Sequence, residues 1–236
     1  MELFDIAGLK VNMDCKQGLV YERSRAYLAE NQNEKADFFV GVPEDVLKEK
    51  QKRLSHLTLD ECDYIYCGEM FYYKLLDFDG MLLHASAIEK DGYAYLFSAK
   101  SGVGKSTHTD LWRKVFDGVR MINDDKPALR RINGVLHACG TPFSGKDDES
   151  LNIHVPLRAV VFLERAQENS IERITAKEAI PLFMSQTLRP AKKEQMLKLL
   201  DMLDGVLKET PVFKLKCNMS DEAAFTAYEG INNLLK

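Results

Sequence analysis

Residues 99–107 read Ala-Lys-Ser-Gly-Val-Gly-Lys-Ser-Thr, and this stretch decides the expected fold. It matches a phosphate-binding loop at every position except the first, where Ala99 stands in place of glycine. In such a loop successive backbone N–H groups surround the phosphates, while a lysine reaches the β- and γ-phosphates and a serine hydroxyl ligates Mg²⁺. The predicted phosphate-binding residues are Ser101, Gly102, Val103, Gly104, Lys105, Ser106 and Thr107.

The flanking segments supply the context that this loop requires. Residues 93–98 are aromatic and apolar and predict a buried strand, and residues 107–116 carry apolar side chains at helical spacing. A helix that starts behind the loop adds its partial positive charge at the phosphate position. The alternative is an ordinary glycine-rich turn with a chance Lys-Ser pair.

Composition limits the classes of protein that fit. The chain has 236 residues, 45% of them hydrophobic, a net charge of −4 and a calculated pI of about 5.8. This balance disfavours a general nucleic-acid binder, which needs a basic surface. No stretch approaches the roughly 20 apolar residues that span a membrane, and the N-terminal residues lack the pattern of a signal peptide. The five cysteines are scattered and are interpreted as buried free thiols, so we expect a cytoplasmic protein.

The remaining elements predict an α/β protein with a mixed sheet. Strands are predicted at residues 3–11, 38–42, 81–88, 93–98, 119–123, 128–132, 135–138, 157–163 and 212–217. Helices are predicted at residues 43–54, 58–78, 107–116, 175–185, 191–207 and 221–235, two of them opened by capping boxes. Hairpins mixed with loop–helix units favour a mixed sheet over a purely parallel one. Residues 1–79 are interpreted as a small N-terminal α+β region, followed by the main domain over residues 80–236.

A pair of aspartates follows the predicted strand 119–123. A triphosphate site needs a carboxylate at the end of a nearby strand to hold Mg²⁺, and Asp124 and Asp125 lie about twenty residues beyond Lys105. Two adjacent carboxylates can divide the work, since one can hold the metal while the other accepts a proton from an incoming hydroxyl. The alternative is a solvated acidic turn.

Two further residues are candidates for the same site. His84 lies on the predicted strand that precedes the loop strand, where it would assist the aspartate base, or else be a satisfied core histidine. Lys146 lies in a polar segment after a strand that should end near the acidic pair. It would contact the transferring phosphoryl group, or else be a plain surface lysine. Arg158 and Arg165 are interpreted as structural or surface residues that flank the strand 157–163.

Taken in order, these residues resemble the catalytic domain of HPr kinase/phosphorylase. The resemblance rests on three stretches, His84-Ala85-Ser86-Ala87, Ser101-Gly102-Val103-Gly104-Lys105-Ser106 and Asn123-Asp124-Asp125, and covers mainly residues 80 to 165. The wider grouping is similar to the nucleotide site of phosphoenolpyruvate carboxykinase. The arginine-glycine stretch that forms the family's second signature is absent in that form, and Lys146 would stand in for its arginine.

The resemblance implies a P-loop kinase core of the HPr kinase / phosphoenolpyruvate carboxykinase type over residues 80–236. It implies ATP and Mg²⁺ as cofactors, a serine-bearing protein, peptide or metabolite as acceptor, and a homo-oligomer. Lys105 and Ser106 would bind the phosphates and the metal, Asp125 would hold the metal, and Asp124 would be the base beside His84, Lys105 and Lys146. The alternative function is a nucleotide-binding regulator or NTPase that has no dedicated acceptor.

Overall fold

The structure, a computed structural model, describes residues 1–15 and 18–234. The strands are β1 (Glu2–Ile6), β2 (Leu9–Met13), β3 (Phe38–Val40), β4 (Gly80–Leu82), β5 (Ala85–Lys90), β6 (Tyr93–Ser98), β7 (Arg120–Asn123), β8 (Ala128–Ile132), β9 (Val135–Cys139), β10 (His154–Arg165), β11 (Ser170–Arg173) and β12 (Val212–Cys217). The α-helices are α1 (Gly18–Ser24), α2 (Glu44–Arg53), α3 (Leu59–Leu75), α4 (Lys105–Val115), α5 (Ala176–Ser185), α6 (Lys193–Glu209) and α7 (Glu222–Leu234).

Most strands belong to one curled, mixed sheet. Its strand order is β4-β8-β9-β10-β6-β5-β7, with β12 paired to β10 and β11 paired to β12. The long strand β10 pairs antiparallel with β9 through its first residues, and parallel with β6 and β12 through its later ones. Strand β5 pairs antiparallel with β6 on one side and β7 on the other. The fold is therefore mixed α/β, as the hairpins and loop–helix units predict.

Helices cover both faces of the parallel part of the sheet. On β10, Val160 and Phe162 belong to the cluster that includes helices α5 and α6. The alternate residues Val161 and Leu163 pack in the cluster that includes helices α4 and α7. Burial on both faces explains why this strand is a near-continuous apolar run in the sequence.

The N-terminal region shares apolar packing with the main sheet. Strands β1, β2 and β3 form a small separate sheet. Phe71 and Tyr72 of α3 lie in one buried cluster with Leu82 of β4 and with Phe143 from the segment that follows β9. This shared cluster anchors the segment after β9, which contains Phe143 and contacts Asp124 through the Gly145 N–H.

Local sequence signals predicted several elements well. Both capping boxes are present, at Thr58 and Thr175, each with reciprocal hydrogen bonds to a glutamate three residues on. Asn133 and Gly134 have φ angles of 50° and 81° in the tight turn between β8 and β9. The predicted strand 212–217 has the observed bounds, and the closing helix is α7, with predicted residue Leu235 outside the described residues.

Two predicted strands are wrong because each is two strands. The apolar run 81–88 is divided, since β4 pairs with β8 whereas β5 pairs with β6 and β7, and His84 lies at the break. The run 3–11 is a hairpin whose turn is formed by Ala7 and Gly8, with φ angles of 53° and 71°. In both cases hydrophobic content continues across a point where the strand changes its partners.

The structure also bears on the expectations about the cysteines and about membrane-spanning segments. All five cysteines are free thiols, four of them buried and Cys217 half-buried. Within the described residues, 1–15 and 18–234, no helix is both apolar enough and long enough to cross a membrane.

Candidate functional site

The glycine loop (residues 99–104) connects the end of β6 to the first residue of α4, Lys105. Gly102 and Gly104 have φ angles of 79° and 123°, which residues with side chains rarely adopt. No atom lies within 4 Å of where a Cβ on Gly102 would be, so the loop surface is open there. The Gly104 carbonyl accepts the first helical hydrogen bond from His108, at 2.9 Å. The N-terminus of α4 thus lies beside an open part of the loop surface.

Arg165 holds the loop by two of its backbone carbonyls, a role that its sequence position did not reveal. Its Nε donates to the Val103 carbonyl at 3.0 Å, and its Nη2 donates to the Gly102 carbonyl. With those two carbonyls engaged by the guanidinium, the loop conformation is fixed. The sequence indicates a structural or surface role for Arg165, and in the structure that role is to stabilise the glycine loop. The sequence around Arg165 shows only the end of a strand, and it gives no sign that the side chain contacts a loop about 60 residues earlier in the chain.

The strand order brings the acidic pair to the loop. Because β5 lies between β6 and β7, the start of β5 meets the ends of both neighbours. The Ser98 hydroxyl donates to the His84 carbonyl at 2.7 Å, and the Ala85 N–H donates to the Asp125 carbonyl at 3.1 Å. His84 therefore lies between the glycine loop and the acidic pair, although it belongs to a break between strands rather than to a strand.

His84 connects Lys105 to Asp125. Its Nε2 is 2.7 Å from Asp125 Oδ1 and 3.3 Å from Lys105 Nζ, while its Nδ1 is 3.1 Å from Gln186 Oε1. The Gln186 carbonyl also accepts from the His84 N–H at 2.7 Å. Gln186, which follows α5, was not a sequence candidate. The sequence predicts that His84 assists the base, Asp124. In the structure His84 instead contacts Asp125, the predicted metal ligand.

Asp125 is held as an anion. Burial alone would raise the pKa of its carboxyl, but the hydrogen bond with His84 and the nearby Lys126 ammonium outweigh burial and hold that pKa well below its usual value. Lys126 Nζ is 2.7 Å from Asp125 Oδ2. Burial also lowers the pKa of Lys105, and the charge of Asp125 opposes this effect. The negative charge of Asp125 is thus surrounded by His84, Lys126 and Lys105.

Asp124 lies in different surroundings. Burial raises the pKa of its carboxyl, and the negative charge of Asp125 raises it further. The Gly145 N–H, which donates to Asp124 Oδ1 at 2.5 Å, lowers this pKa but does not offset the other two effects. Within residues 1–15 and 18–234, Asp124 forms no ion pair within 4.0 Å. A Cβ on Gly145 would lie 2.7 Å from Asp124 Oδ2, so a side chain at this position would displace the carboxylate. The pair therefore combines one stabilised carboxylate and one with raised proton affinity.

Buried polar side chains fix the backbone of the acidic pair. Asn123 Oδ1 accepts from the N–H groups of Asp125 and Lys126 at 3.0 and 2.6 Å, and its Nδ2 donates to the Thr141 carbonyl at 3.0 Å. The Ser86 hydroxyl donates to the Asp124 carbonyl at 2.7 Å. Such satisfied networks make the turn rigid, so both carboxylates have defined positions.

The loop and the acidic pair line a common cleft of about 410 Å³. Of the predicted site residues, the cleft is lined by Ser101, Gly102, Gly104, Lys105, Ser106, Thr107, Asp124, Asp125 and Lys146. Val103 does not line it, because its side chain packs with the cluster under α4 and α7. Lys146 is exposed and forms no ion pair within 4.0 Å in the part of the chain that the structure describes. The cleft also contains Arg165, Gly145 and Asp147.

The donor set of the cleft fits a magnesium ion that is bound together with phosphates. Ser106 is exposed at the start of α4 and lines the cleft with both aspartates. Among the described residues, no group of three or more His, Cys, Asp or Glu side chains is arranged to hold a metal. Mg²⁺ in nucleotide sites is commonly held by one or two protein oxygens plus phosphate oxygens and water, so this sparse set is compatible with it.

Comparison with known proteins identifies a family and a distant structural likeness. Residues 48–225, about three quarters of the chain, match the family described as SynChlorMet cassette protein ScmC. A solved structure of the Hpr(Ser) kinase/phosphatase from Coxiella burnetii is similar, at 14% sequence identity, with 66% of this chain and 99% of that chain covered. The TM-score of that match is 0.38, and nothing about the site rests on it. No curated protein matches the chain significantly.

Proposed function

We propose that this chain, which belongs to the family of SynChlorMet cassette protein ScmC, is an ATP-dependent phosphotransferase that moves the γ-phosphate to a serine hydroxyl. The acceptor hydroxyl belongs to a protein, a peptide or a small metabolite. One observation carries the proposal: a glycine loop with Lys105 and a half-buried aspartate pair line the same cleft, and His84 lies within hydrogen-bond distance of both Lys105 and Asp125. Binding a nucleotide needs only the loop, whereas transfer to a hydroxyl also needs a base, and the cleft offers both.

The donor nucleotide would be bound through its phosphates. Backbone N–H groups of the glycine loop, other than that of Val103, which donates to the Lys100 carbonyl at 3.2 Å, and the N-terminus of α4 supply the neutral and dipolar contacts. Lys105 supplies charge at the β- and γ-phosphates, and Lys146, which also lines the cleft, supplies charge to the transferring group. Arg165 binds the carbonyls of Gly102 and Val103 and so stabilises the conformation of the loop.

Ser106 and Asp125 are the residues that would hold Mg²⁺. The low pKa of Asp125 keeps it anionic for this role, and the ion supplies charge neutralisation at the phosphate oxygens. Each carboxylate oxygen has two lone pairs, so Asp125 can ligate the metal while Oδ1 stays on His84 and Oδ2 on Lys126. His84 then stays as a positioning residue that orients the carboxylate.

Asp124 would be the general base. The proton of the acceptor hydroxyl moves to its carboxylate as the hydroxyl oxygen bonds to the γ-phosphorus. The bond between that phosphorus and the β,γ-bridging oxygen breaks, and ADP leaves with the bond's electron pair. A raised pKa suits a base, because it increases the driving force for accepting the proton.

The proposal is tested by incubating the protein with ATP labelled at the γ-phosphate, Mg²⁺ and a cell extract. The wild type should transfer label to an extract component, and Lys105→Ala and Asp124→Asn should each lower transfer by about 10²–10⁴-fold. Lys114→Ala is the matched control, because Lys114 lies on the same helix but pairs with Asp221 away from the cleft. Transfer that persists in both site variants would refute the proposal. Steady hydrolysis of ATP with no labelled acceptor would instead favour an NTPase or nucleotide-dependent regulator.

A further inference from the structure

A second pocket of about 390 Å³ lies beside the acidic pair. Its walls are mainly apolar and aromatic: Tyr64 and Tyr72 of α3, Phe143 from the segment after β9, Leu82 of β4, and Leu188. Lys126 also lines it, but no residue of the glycine loop does. The pocket is therefore separate from the cleft that contains the loop.

Two connections place this pocket next to the carboxylates. Lys126 lines the pocket, and its Nζ is 2.7 Å from Asp125 Oδ2. Phe143 lies two residues before Gly145, whose N–H donates to Asp124. The pocket thus adjoins the acidic pair from the side of Lys126, whereas the loop faces the pair from the other cleft. An acceptor that reaches Asp124 has room for a neighbouring group here.

The pocket is preformed by polar contacts behind its walls. The Tyr64 hydroxyl donates to the Ser144 carbonyl at 3.0 Å and accepts from Arg23 at 2.8 Å. The Tyr72 hydroxyl is 2.9 Å from Thr141 Oγ1 and also bonds to the Lys126 carbonyl. The Phe143 ring packs against both tyrosines, with centroids 5.7 and 5.9 Å apart. Because both hydroxyls are engaged, the rings turn their apolar surfaces to the pocket.

We infer, resting on the proposed function, that this pocket holds a large apolar side chain, aromatic by preference, next to the acceptor serine of a polypeptide segment. Aromatic walls favour an aromatic guest through offset or edge-to-face packing. The pocket lies within one lysine side chain of Asp125, and one residue spans at most about 3.5 Å. The apolar side chain therefore lies one or two residues from the serine.

The same walls disfavour a charged metabolite as the occupant. A phosphorylated or carboxylated small molecule needs cationic partners, and the only cation that lines this pocket within the described part of the chain, Lys126, is already paired with Asp125. Desolvating an anion against aromatic rings without a partner is costly. Recognition of an extended segment through a side-chain pocket needs no such partner.

The test measures phosphate transfer to short peptides. Blocked five-residue peptides with one serine carry phenylalanine at one of the two positions before or after it, and matched peptides carry alanine instead. With labelled ATP and Mg²⁺, the best phenylalanine peptide should show a kcat/KM about tenfold or more above its alanine partner, as expected for burial of a large apolar side chain.

A variant that fills the pocket gives an independent check. Ile65 lines the pocket and is 45% exposed, so Ile65→Trp can add volume there without disturbing the core. This variant should lose most of the preference for phenylalanine. Ile180→Trp is the control, because Ile180 is 43% exposed on α5 and does not line the pocket, and its preference should match the wild type.

Equal rates for the phenylalanine and alanine peptides would overturn the inference and leave the proposed function intact. Labelling of an extract component by a protein that labels no peptide would also overturn it, and would point to a folded protein or a small molecule as acceptor. Absence of label on every peptide and every extract component would remove the proposed function and the inference together.

Discussion

Asp124 and Asp125 are neighbours in sequence, but their surroundings give them opposite proton affinities. Asp125 is paired with His84 and Lys126, which keep its pKa low, while Asp124 is half-buried, has no cation within 4.0 Å among the described residues, and has a raised pKa. Separated pKa values in one site mark distinct acid–base roles. This contrast supports the assignment of Asp124 as base and Asp125 as metal ligand, for which the sequence alone gave no strong grounds.

The raised pKa of Asp124 predicts the acid limb of the pH–rate profile. A general base works only when it is deprotonated, so kcat should fall as pH decreases through the pKa of Asp124. Because burial raises that pKa, the midpoint should lie above the ordinary aspartate value of about 3.9. The profile is measured with labelled ATP at saturating Mg²⁺. A rate that stays constant down to that value would contradict the assignment of the base.

Arg165 predicts a loss of nucleotide affinity when its geometry is changed. Arg165→Lys keeps the charge but loses the rigid planar guanidinium whose Nε and Nη2 reach the two loop carbonyls, so the glycine loop should loosen and the Kd for MgATP should rise by roughly tenfold. Arg131→Lys is the matched control, since Arg131 also donates two hydrogen bonds, to Glu209, away from the cleft. Equal affinities in the two variants, measured by calorimetry, would show that Arg165 does not support the loop.

At the scale of elements, the unit formed by β6, the glycine loop and α4 depends on backbone angles. Gly104 has a φ of 123°, far from the values that other residues adopt, and only Thr107 approaches the position of its Cβ, at 3.9 Å. A substitution there is strained by its conformation rather than by crowding. The strain falls on the peptide groups that would face the phosphates.

We therefore expect Gly104→Ala to abolish MgATP binding while the protein stays folded. Gly92→Ala is the control, because Gly92 has a φ of 78°, is equally uncrowded and lies in the turn between β5 and β6 at the opposite end of those strands. It should lower the melting temperature slightly and leave the Kd for MgATP unchanged. Nucleotide binding that survives in Gly104→Ala would show that the loop does not hold the phosphates.

At the scale of the whole molecule, the N-terminal region and the main sheet share one apolar cluster near the site. Phe143 and Leu82 pack against Phe71 and Tyr72 of α3. The segment 140–145, which supplies the Gly145 N–H to Asp124, is held from the N-terminal side by Arg23 as well, at 3.2 Å from the Ser144 carbonyl. The family match also begins at residue 48, within α2, and so includes part of the N-terminal region that precedes the main sheet.

This packing predicts that residues 80–236 do not fold stably without residues 1–79. Removing α3 exposes Phe143 and its neighbours, and losing the contacts of a buried aromatic costs about 3–5 kcal/mol, a large part of the stability of a typical domain. The fragment should be far more sensitive to limited proteolysis than the full chain and show no cooperative thermal transition. A cooperative transition with retained MgATP binding would show that the N-terminal region is dispensable.

The elements that could be predicted from the sequence are those with local signals. The capping boxes at Thr58 and Thr175 and the Asn133-Gly134 turn depend on neighbouring residues alone, so the sequence predicts them without knowledge of the fold. The break at His84 depends on which strands pair, and the apolar pattern continues across it. For the same reason the sequence indicated Lys105, Asp124 and Asp125 by spacing, but not the supporting Arg165 and Gln186.

The central claim is that the cleft transfers a phosphoryl group to a serine hydroxyl, and a gain of mass on an acceptor tests it most directly. The protein is incubated with Mg²⁺, a cell extract and ATP whose terminal phosphate carries heavy oxygen, and proteins, peptides and metabolites are examined by mass spectrometry. We expect the wild type to add one heavy phosphoryl group to a serine hydroxyl of some component, and Asp124→Asn to add none. Release of heavy inorganic phosphate with no modified component would contradict it.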